Sequence, residues 1–259
     1  MTEVTRHVHG MPSWDELATS DMAAAETFYS ALFGWKADHQ PMGPDEFYGM
    51  QQLRGKNVAA IFTQRQEEAS MGIPPHWQTY ITVDDVDATV EKVKPAGGNV
   101  LAEPFDVFDA GRMAIVADPE GAMVSLWQPK NHIGAQIIND PGTMCWHELW
   151  VNDVGQATTF YENVLGLTTA DSGIDDWDGY KLLNAGSENA AGVMKKEPEM
   201  SHIPSSWTTY FAVTDCDAAV KQAVSLGASN PFPPTDVPTV GRFAILIDPQ
   251  GAAFGVLQG

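Results

Sequence analysis

The sequence predicts an α+β protein made of two duplicated halves, each built from two modules of one strand, one helix and three further strands. The first observation behind this is a repeat. Trp14, Leu17, Asp21, Phe28, Tyr29 and Gly34 recur as Trp146, Leu149, Asp153, Phe160, Tyr161 and Gly166, each pair 132 positions apart. The second is a matching set further along. Trp77, Thr79, Tyr80, Val83, Asp87, Gly97 and the run GRMAIVADPEGA (Gly111 to Ala122) return as Trp207, Thr209, Tyr210, Val213, Asp217, Gly227 and GRFAILIDPQGA (Gly241 to Ala252), 130 positions apart. Register kept this long, with one two-residue deletion, marks a duplicated domain rather than a short-period solenoid. The third observation is a hydrophobic period that switches in each module from alternation to helical spacing and back.

Taken in order, Trp14 to Thr19 alternates as a strand, and Ser20-Asp21 offers a helix start. Met22 to Phe33 places Ala25, Phe28, Tyr29, Leu32 and Phe33 at helical spacing and stops at Gly34. Strand-like runs follow near Phe47 to Leu53 and Asn57 to Thr63. The second module opens with a strand over Gln78 to Val83. A helix then starts at Asp84, runs to about Pro95 and ends at Gly97-Gly98. Val100 to Val107, Met113 to Ala117 and Ala122 to Gln128 complete it, with DPEG at Asp118 to Gly121 as a hairpin turn. Residues 10–129 form the first domain, 130–142 a linker, and 143–258 the second domain, which repeats the same order.

Composition narrows the function. The chain has 259 residues, 44% of them apolar, so each half is long enough for its own core. A net charge of −20 with only 14 Lys and Arg argues against nucleic acid, because a polyphosphate is held by cations that displace its counterions. No run approaches the apolar length of a membrane span, and MTEVTRHVHG lacks the apolar segment of a secretory leader. Two cysteines, Cys145 and Cys216, offer no disulfide framework, so a cytoplasmic protein is expected. There is no GxSxG elbow and no phosphate-cradling GxxxxGK[ST].

The helix ends FYSALFGW and FYENVLGL, the strand-to-helix step VDDVDA and the hairpin GRxAxxxDPxGA together resemble the vicinal oxygen chelate superfamily, which includes glyoxalase I, extradiol dioxygenases and bleomycin-resistance proteins. The narrower likeness is to tandem glyoxalase-like, hydroxylase-type proteins of actinobacteria. The resemblance covers nearly the whole chain. It implies curled mixed sheets that form cups, with helices outside, and a metal ion held by four side chains from the strands.

The alternation of side chains across a strand tests that implication. If Leu17 and Thr19 pack under the helix, Trp14, Glu16 and Ala18 face the first cup. By the same parity Cys145, Leu149 and Val151 belong to the core, and Trp146, Glu148 and Trp150 to the second cup. The first cup then gains Gln78, Tyr80, Ser125 and Trp127, and the second gains Thr208, Tyr210 and Gly255. Aligned with the family, Trp14 and Trp146 stand at the first ligand position, Gln78 and Thr208 at the second, and Ser125 and Gly255 at the closing glutamate. The remaining strand, Asn57 to Thr63 or Asn189 to Lys196, has no His, Asp, Glu or Cys. A divalent ion needs imidazole, carboxylate or thiolate donors. The expectation is therefore no metal and no other cofactor, with each cup an aromatic lining around one carboxylate.

Glu16 and Glu148 read either as general bases, desolvated against indole rings, or as structural carboxylates that need a partner because they are buried. Arg112 and Arg242 read either as anion contacts at the cup mouths or as partners of Asp118 and Asp248. His147 falls on the core side of its strand, as a satisfied buried histidine. Two function classes follow. One is a metal-free binder, with conversion left open, of a small apolar, aromatic or carbonyl-containing molecule. The other is a metal-dependent glyoxalase- or dioxygenase-type enzyme with non-standard ligands. The partner is a small molecule, and the protein is a monomer or homodimer.

Overall fold

The structure is a computed structural model that describes residues 3–44, 46–173 and 179–259. In the first half, strand β1 (Pro12–Thr19) leads into helix α1 (Met22–Phe33), followed by β2 (Lys36–Gly43), β3 (Glu46–Leu53) and β4 (Lys56–Thr63). A short helix α2 (Gln66–Ser70) connects to β5 (His76–Thr82), α3 (Val86–Val93), β6 (Asn99–Val107), β7 (Gly111–Ala117) and β8 (Met123–Pro129). The second half repeats the order as β9 (Met144–Val151), α4 (Val154–Leu165), β10 (Thr168–Asp171), β11 (Lys181–Ala185), β12 (Glu188–Lys195), β13 (Ser206–Ala212), α5 (Cys216–Ser225), β14 (Ser229–Val237), β15 (Gly241–Ile247) and β16 (Ala253–Gln258).

The helix signals act as read for α1 and α4. Asp21 and Asp153 accept the amides of Ala24 and Gln156, and Gly34 and Gly166 close the helices in the left-handed conformation that glycine adopts without strain. In α3 the cap is Asp85, one residue beyond the Asp84 expected, because Asp85 reaches the Ala88 amide. Two strands that were not read individually, β2 and β10, lie at sheet edges, where exposure removes the alternation that marks a half-buried strand.

Each half forms one eight-stranded mixed sheet, in the orders β2-β3-β4-β1-β5-β8-β7-β6 and β10-β11-β12-β9-β13-β16-β15-β14. The two modules of a half join where β1 pairs antiparallel with β5, and β9 with β13. Each cup is thus built within one half. The helices lie outside the cups, on the convex faces, and there the halves meet: α1 contacts α5, and α3 contacts α4.

The repeated motifs explain that meeting. The Trp77 indole donates to the Tyr29 hydroxyl at 3.0 Å, and Tyr29 donates to Asp248 of the other half's hairpin at 3.0 Å. Its mate runs from Trp207 to Tyr161 at 3.0 Å and on to Asp118 at 3.5 Å. Asp248 also accepts the amides of Gln250, Gly251 and Ala252, so each DPxG aspartate shapes its own hairpin and ties it to the opposite helix. At the centre, His147 lies 3.0 Å from a carboxylate oxygen of Asp15, its positional mate, and Thr209 donates to the same carboxylate at 2.5 Å. All three are buried. His147 faces the core as its parity indicates, with the other half as its partner.

Candidate functional site

On the concave face of each sheet the same hydrogen-bonded chain is built around a glutamate. In the first half the Trp14 indole donates to the Tyr48 hydroxyl at 2.9 Å, Tyr48 donates to Glu16 at 2.8 Å, and Tyr80 donates to the other Glu16 oxygen at 2.6 Å. In the second, Trp146 donates to Tyr180 at 3.0 Å, Tyr180 bonds Glu148, and Tyr210 donates to Glu148 at 2.8 Å. Cross-strand register places these side chains together, with Tyr80 opposite Trp14 and Tyr210 opposite Trp146. Tyr48 and Tyr180 were not singled out from the sequence, yet they stand 132 positions apart like the other repeat pairs, and that offset is the signal that finds them.

Burial, the dominant influence, pushes both glutamates above the ordinary carboxylate range, and the phenol donors oppose it. Near Glu16, Arg65 lowers its pKa through space and Glu68 raises it, whereas among the described residues Glu148 is surrounded by the neutral donors Tyr210, Tyr180 and Trp150.

The cups also differ in filling. In the first, the linker packs against the site: the His132 ring stands edge-on to Trp14 at 4.6 Å, and the Trp127 indole donates to the His132 carbonyl at 2.9 Å. Ala135 and Gln136 bond Ser13 and Asn57 through the backbone, and Ala135 and Ile137 join the core cluster that holds Trp14, Tyr80 and Trp127. Gln78 donates to Ser125 at 3.2 Å. Burial lowers His132 to about 4, so the ring is neutral.

The second cup encloses a cavity of about 270 Å³. Trp146, Glu148, Tyr180, Tyr210 and Phe243 line it, with the β14–β15 turn at Val237, Thr239 and Val240 on one side. Leu257 stands where the first half has Trp127, and Gly255 where it has Ser125. Thr208 lies opposite Glu148 across the β9–β13 ladder. Trp150, buried beside Phe232, directs its indole toward Glu148. Thr239 holds a φ of 67°, a left-handed conformation strained for a β-branched residue, and such strain concentrates at binding sites.

Two expectations are corrected. Cys145 does not lie in the core. The ladder shifts between Tyr210 and Phe211, which oppose Trp146 and Met144, so Cys145 forms a bulge and lines the cavity. Burial lifts its thiol to about 12, which leaves it un-ionised at neutral pH. Arg112 and Arg242 do not reach the cups. Arg112 pairs with Gln128 across β7–β8 while its neighbour Met113 pairs with the cup residue Trp127, so Arg112 projects from the convex face. There it makes a two-pronged contact with Asp87 at 2.7 and 2.8 Å, and Arg242 does the same with Asp217 at 2.7 and 3.1 Å. Asp118 and Asp248, the partners expected for them, are occupied by their hairpins.

The family's metal positions hold an indole, an amide or hydroxyl, and a hydroxyl or glycine, and the Trp14 and Gln78 groups are already hydrogen-bonded within the protein. Among the described residues no group of three His, Cys, Asp or Glu converges. The side chains at these three positions are none of the imidazole, carboxylate or thiolate donors that a divalent ion takes. A separate open groove at the start of α4, about 450 Å³, is lined by Asn152, Asp153, Lys181 and Lys195. Glu120 takes the amides of Asn152 and Asp153 just before the helix, Lys181 pairs with Asp171, and none of the aromatic or carboxyl groups of the cups lines the groove.

The chain belongs to the Glyoxalase/Bleomycin resistance protein/Dioxygenase superfamily, which matches it twice, over residues 7–126 and 132–256. It is 46% identical over 259 residues to "Putative glyoxylase CFP32" of Mycobacterium bovis, covering 100% of this chain and 98% of that one. It is 36% identical over 265 residues to "Anthracycline biosynthesis protein DnrV" of Streptomyces peucetius, covering 98% and 95%. Among solved structures, the Mn(II)-bound glyoxalase from Novosphingobium aromaticivorans shares the fold with a TM-score of 0.65 at 16% identity, over 96% of this chain and 82% of that one. The 2,3-dioxygenase LapB from Pseudomonas sp. KL28 does so with a TM-score of 0.61 at 13% identity, over 100% and 93%.

Proposed function

We propose that this protein binds a small aromatic or carbonyl-containing molecule in the cup of its second half, and that binding does not use a divalent metal such as the Mn(II) of the Novosphingobium aromaticivorans glyoxalase. The observation that carries the reading is the cavity of about 270 Å³ lined by Trp146, Tyr180, Tyr210 and Phe243 around the carboxyl of Glu148. A concave, largely aromatic wall with a few polar groups suits a flat ligand held by ring contacts and oriented by hydrogen bonds. The first cup, with Trp14, Gln78, Tyr80, Ser125 and Trp127 bonded or packed against the linker, serves as the structural copy. A relative named for anthracycline biosynthesis supports an aromatic ligand, and one named as a glyoxylase supports a carbonyl compound.

If the ligand is also converted, Glu148 is the group placed to accept or return a proton, since its raised pKa brings a buried carboxyl toward neutrality. The test combines two measurements. Protein purified without added metal is assayed for iron, nickel, manganese and zinc, and aromatic compounds are titrated against tryptophan fluorescence in the wild type and in Trp146→Ala. Saturable quenching that Trp146→Ala weakens, in protein with less than stoichiometric metal, supports the reading. A full equivalent of bound metal required for ligand affinity overturns it in favour of a metal-dependent enzyme.

A further inference from the structure

The carboxyl at the centre of the second cup is buried among donors and has no positive partner. Glu148 is 4% exposed. Tyr210 and Tyr180 donate to it, and the buried Trp150 indole is directed at the same carboxyl. The three side chains that bond it each offer a proton, an arrangement suited to a carboxylate as acceptor. Among the described residues, the titratable groups around it are Cys145, Tyr180 and Tyr210, and none of them is cationic. Residues 174–178, outside the described set, contain no Lys or Arg. Buried carboxylates are kept when a positive charge accompanies them. In the first half Arg65 and Glu68 act on Glu16 through space with opposite signs, and in the second no charged group acts on Glu148 among the described residues.

Resting on the reading that the second cup is the binding site, we propose that its ligand presents a protonated amine to Glu148 while its carbon skeleton lies against the aromatic wall. The ammonium supplies the charge that the site lacks. The faces of Trp146, Tyr180, Tyr210 and Phe243 supply cation–π attraction, which strengthens as water is excluded. The net charge of −20 draws such a ligand toward the protein and repels a carboxylate analogue. This separates the two cups by chemistry: the same Trp–Tyr–Glu–Tyr chain is structural in one half and a cation receptor in the other.

The test uses a matched set of probes, 2-phenylethylamine, 2-phenylethanol and phenylacetate, titrated by calorimetry into the full-length protein at pH 7.5. The amine is expected to bind at least about tenfold more tightly than the alcohol, and phenylacetate more weakly than either. Glu148→Gln is expected to remove the amine's advantage over the alcohol, with an unchanged far-ultraviolet circular dichroism spectrum showing that the variant is folded. Tyr210→Phe, which keeps the carboxyl, is expected to retain the preference. Equal affinity for amine and alcohol in the wild type, or a preference that survives Glu148→Gln, overturns the amine inference and leaves aromatic binding standing. Binding of none of the three probes overturns both.

Discussion

At the residue scale, one buried acid appears in two environments. Glu148 titrates above its ordinary value of 4.5 because burial disfavours the charged form. The folded state therefore holds its proton to higher pH than the unfolded chain does, so this group destabilises the fold as pH rises through its folded pKa and not below 4.5. Glu148→Gln should accordingly raise the thermal midpoint at pH 7.5 and leave it unchanged near pH 4, as read by calorimetry at both values. The opposite order would mean that the carboxylate stabilises the free protein. Tyr180 depends on a missing side chain, since a Cβ on Gly192 would collide with its hydroxyl. Gly192→Ala should displace Tyr180 from Glu148 and destabilise by about 1–3 kcal/mol, as overpacking does, measured by urea unfolding.

At the element scale, the hairpins and helices explain why the repeat motifs are what they are. The DPxG aspartate accepts several backbone amides of its own turn and meets the tyrosine of the opposite half's helix. Tyr29→Phe removes that bond and also strands the Trp77 indole in the core, so a loss of about 1–3 kcal/mol is expected from denaturant midpoints. Asp21→Ala, at the start of α1, removes a cap and should cost about 1 kcal/mol. Strand faces were legible where pleating is regular: Trp14, Glu16, Trp146, Glu148, Tyr80 and Tyr210 gather on the concave sides as parity indicates. Parity fails at Cys145, because a bulge adds one residue and turns the next side chain over. It also leaves Arg112 and Arg242 unassigned until register puts them beside Asp87 and Asp217, since a residue at a strand start carries no neighbours enough to set its phase.

At the scale of the whole molecule, the two halves share one core. One cluster runs from Leu17, Tyr29 and Trp77 of the first half to Phe211, Val220 and Phe254 of the second, and another joins Val90 and Leu126 to Leu149 and Phe160. The chain should unfold in a single calorimetric transition, and two resolved transitions would mean that the halves are independent. Asp15→Ala should be among the most damaging surface-neutral changes, at about 3–5 kcal/mol, because it leaves His147 and Thr209 buried without their acceptor.

The sequence by itself determined the duplication, the module order, the caps of α1 and α4 and the face of each regular strand, because period, offset and capping chemistry are local and repeat along the chain. Only the tertiary structure decided which convex faces meet, that the linker fills the first cup and that the second stays open. Those outcomes turn on contacts between residues more than a hundred positions apart, such as Tyr29 with Asp248 and Asp15 with His147, and on packing volume, which no single segment of the chain records.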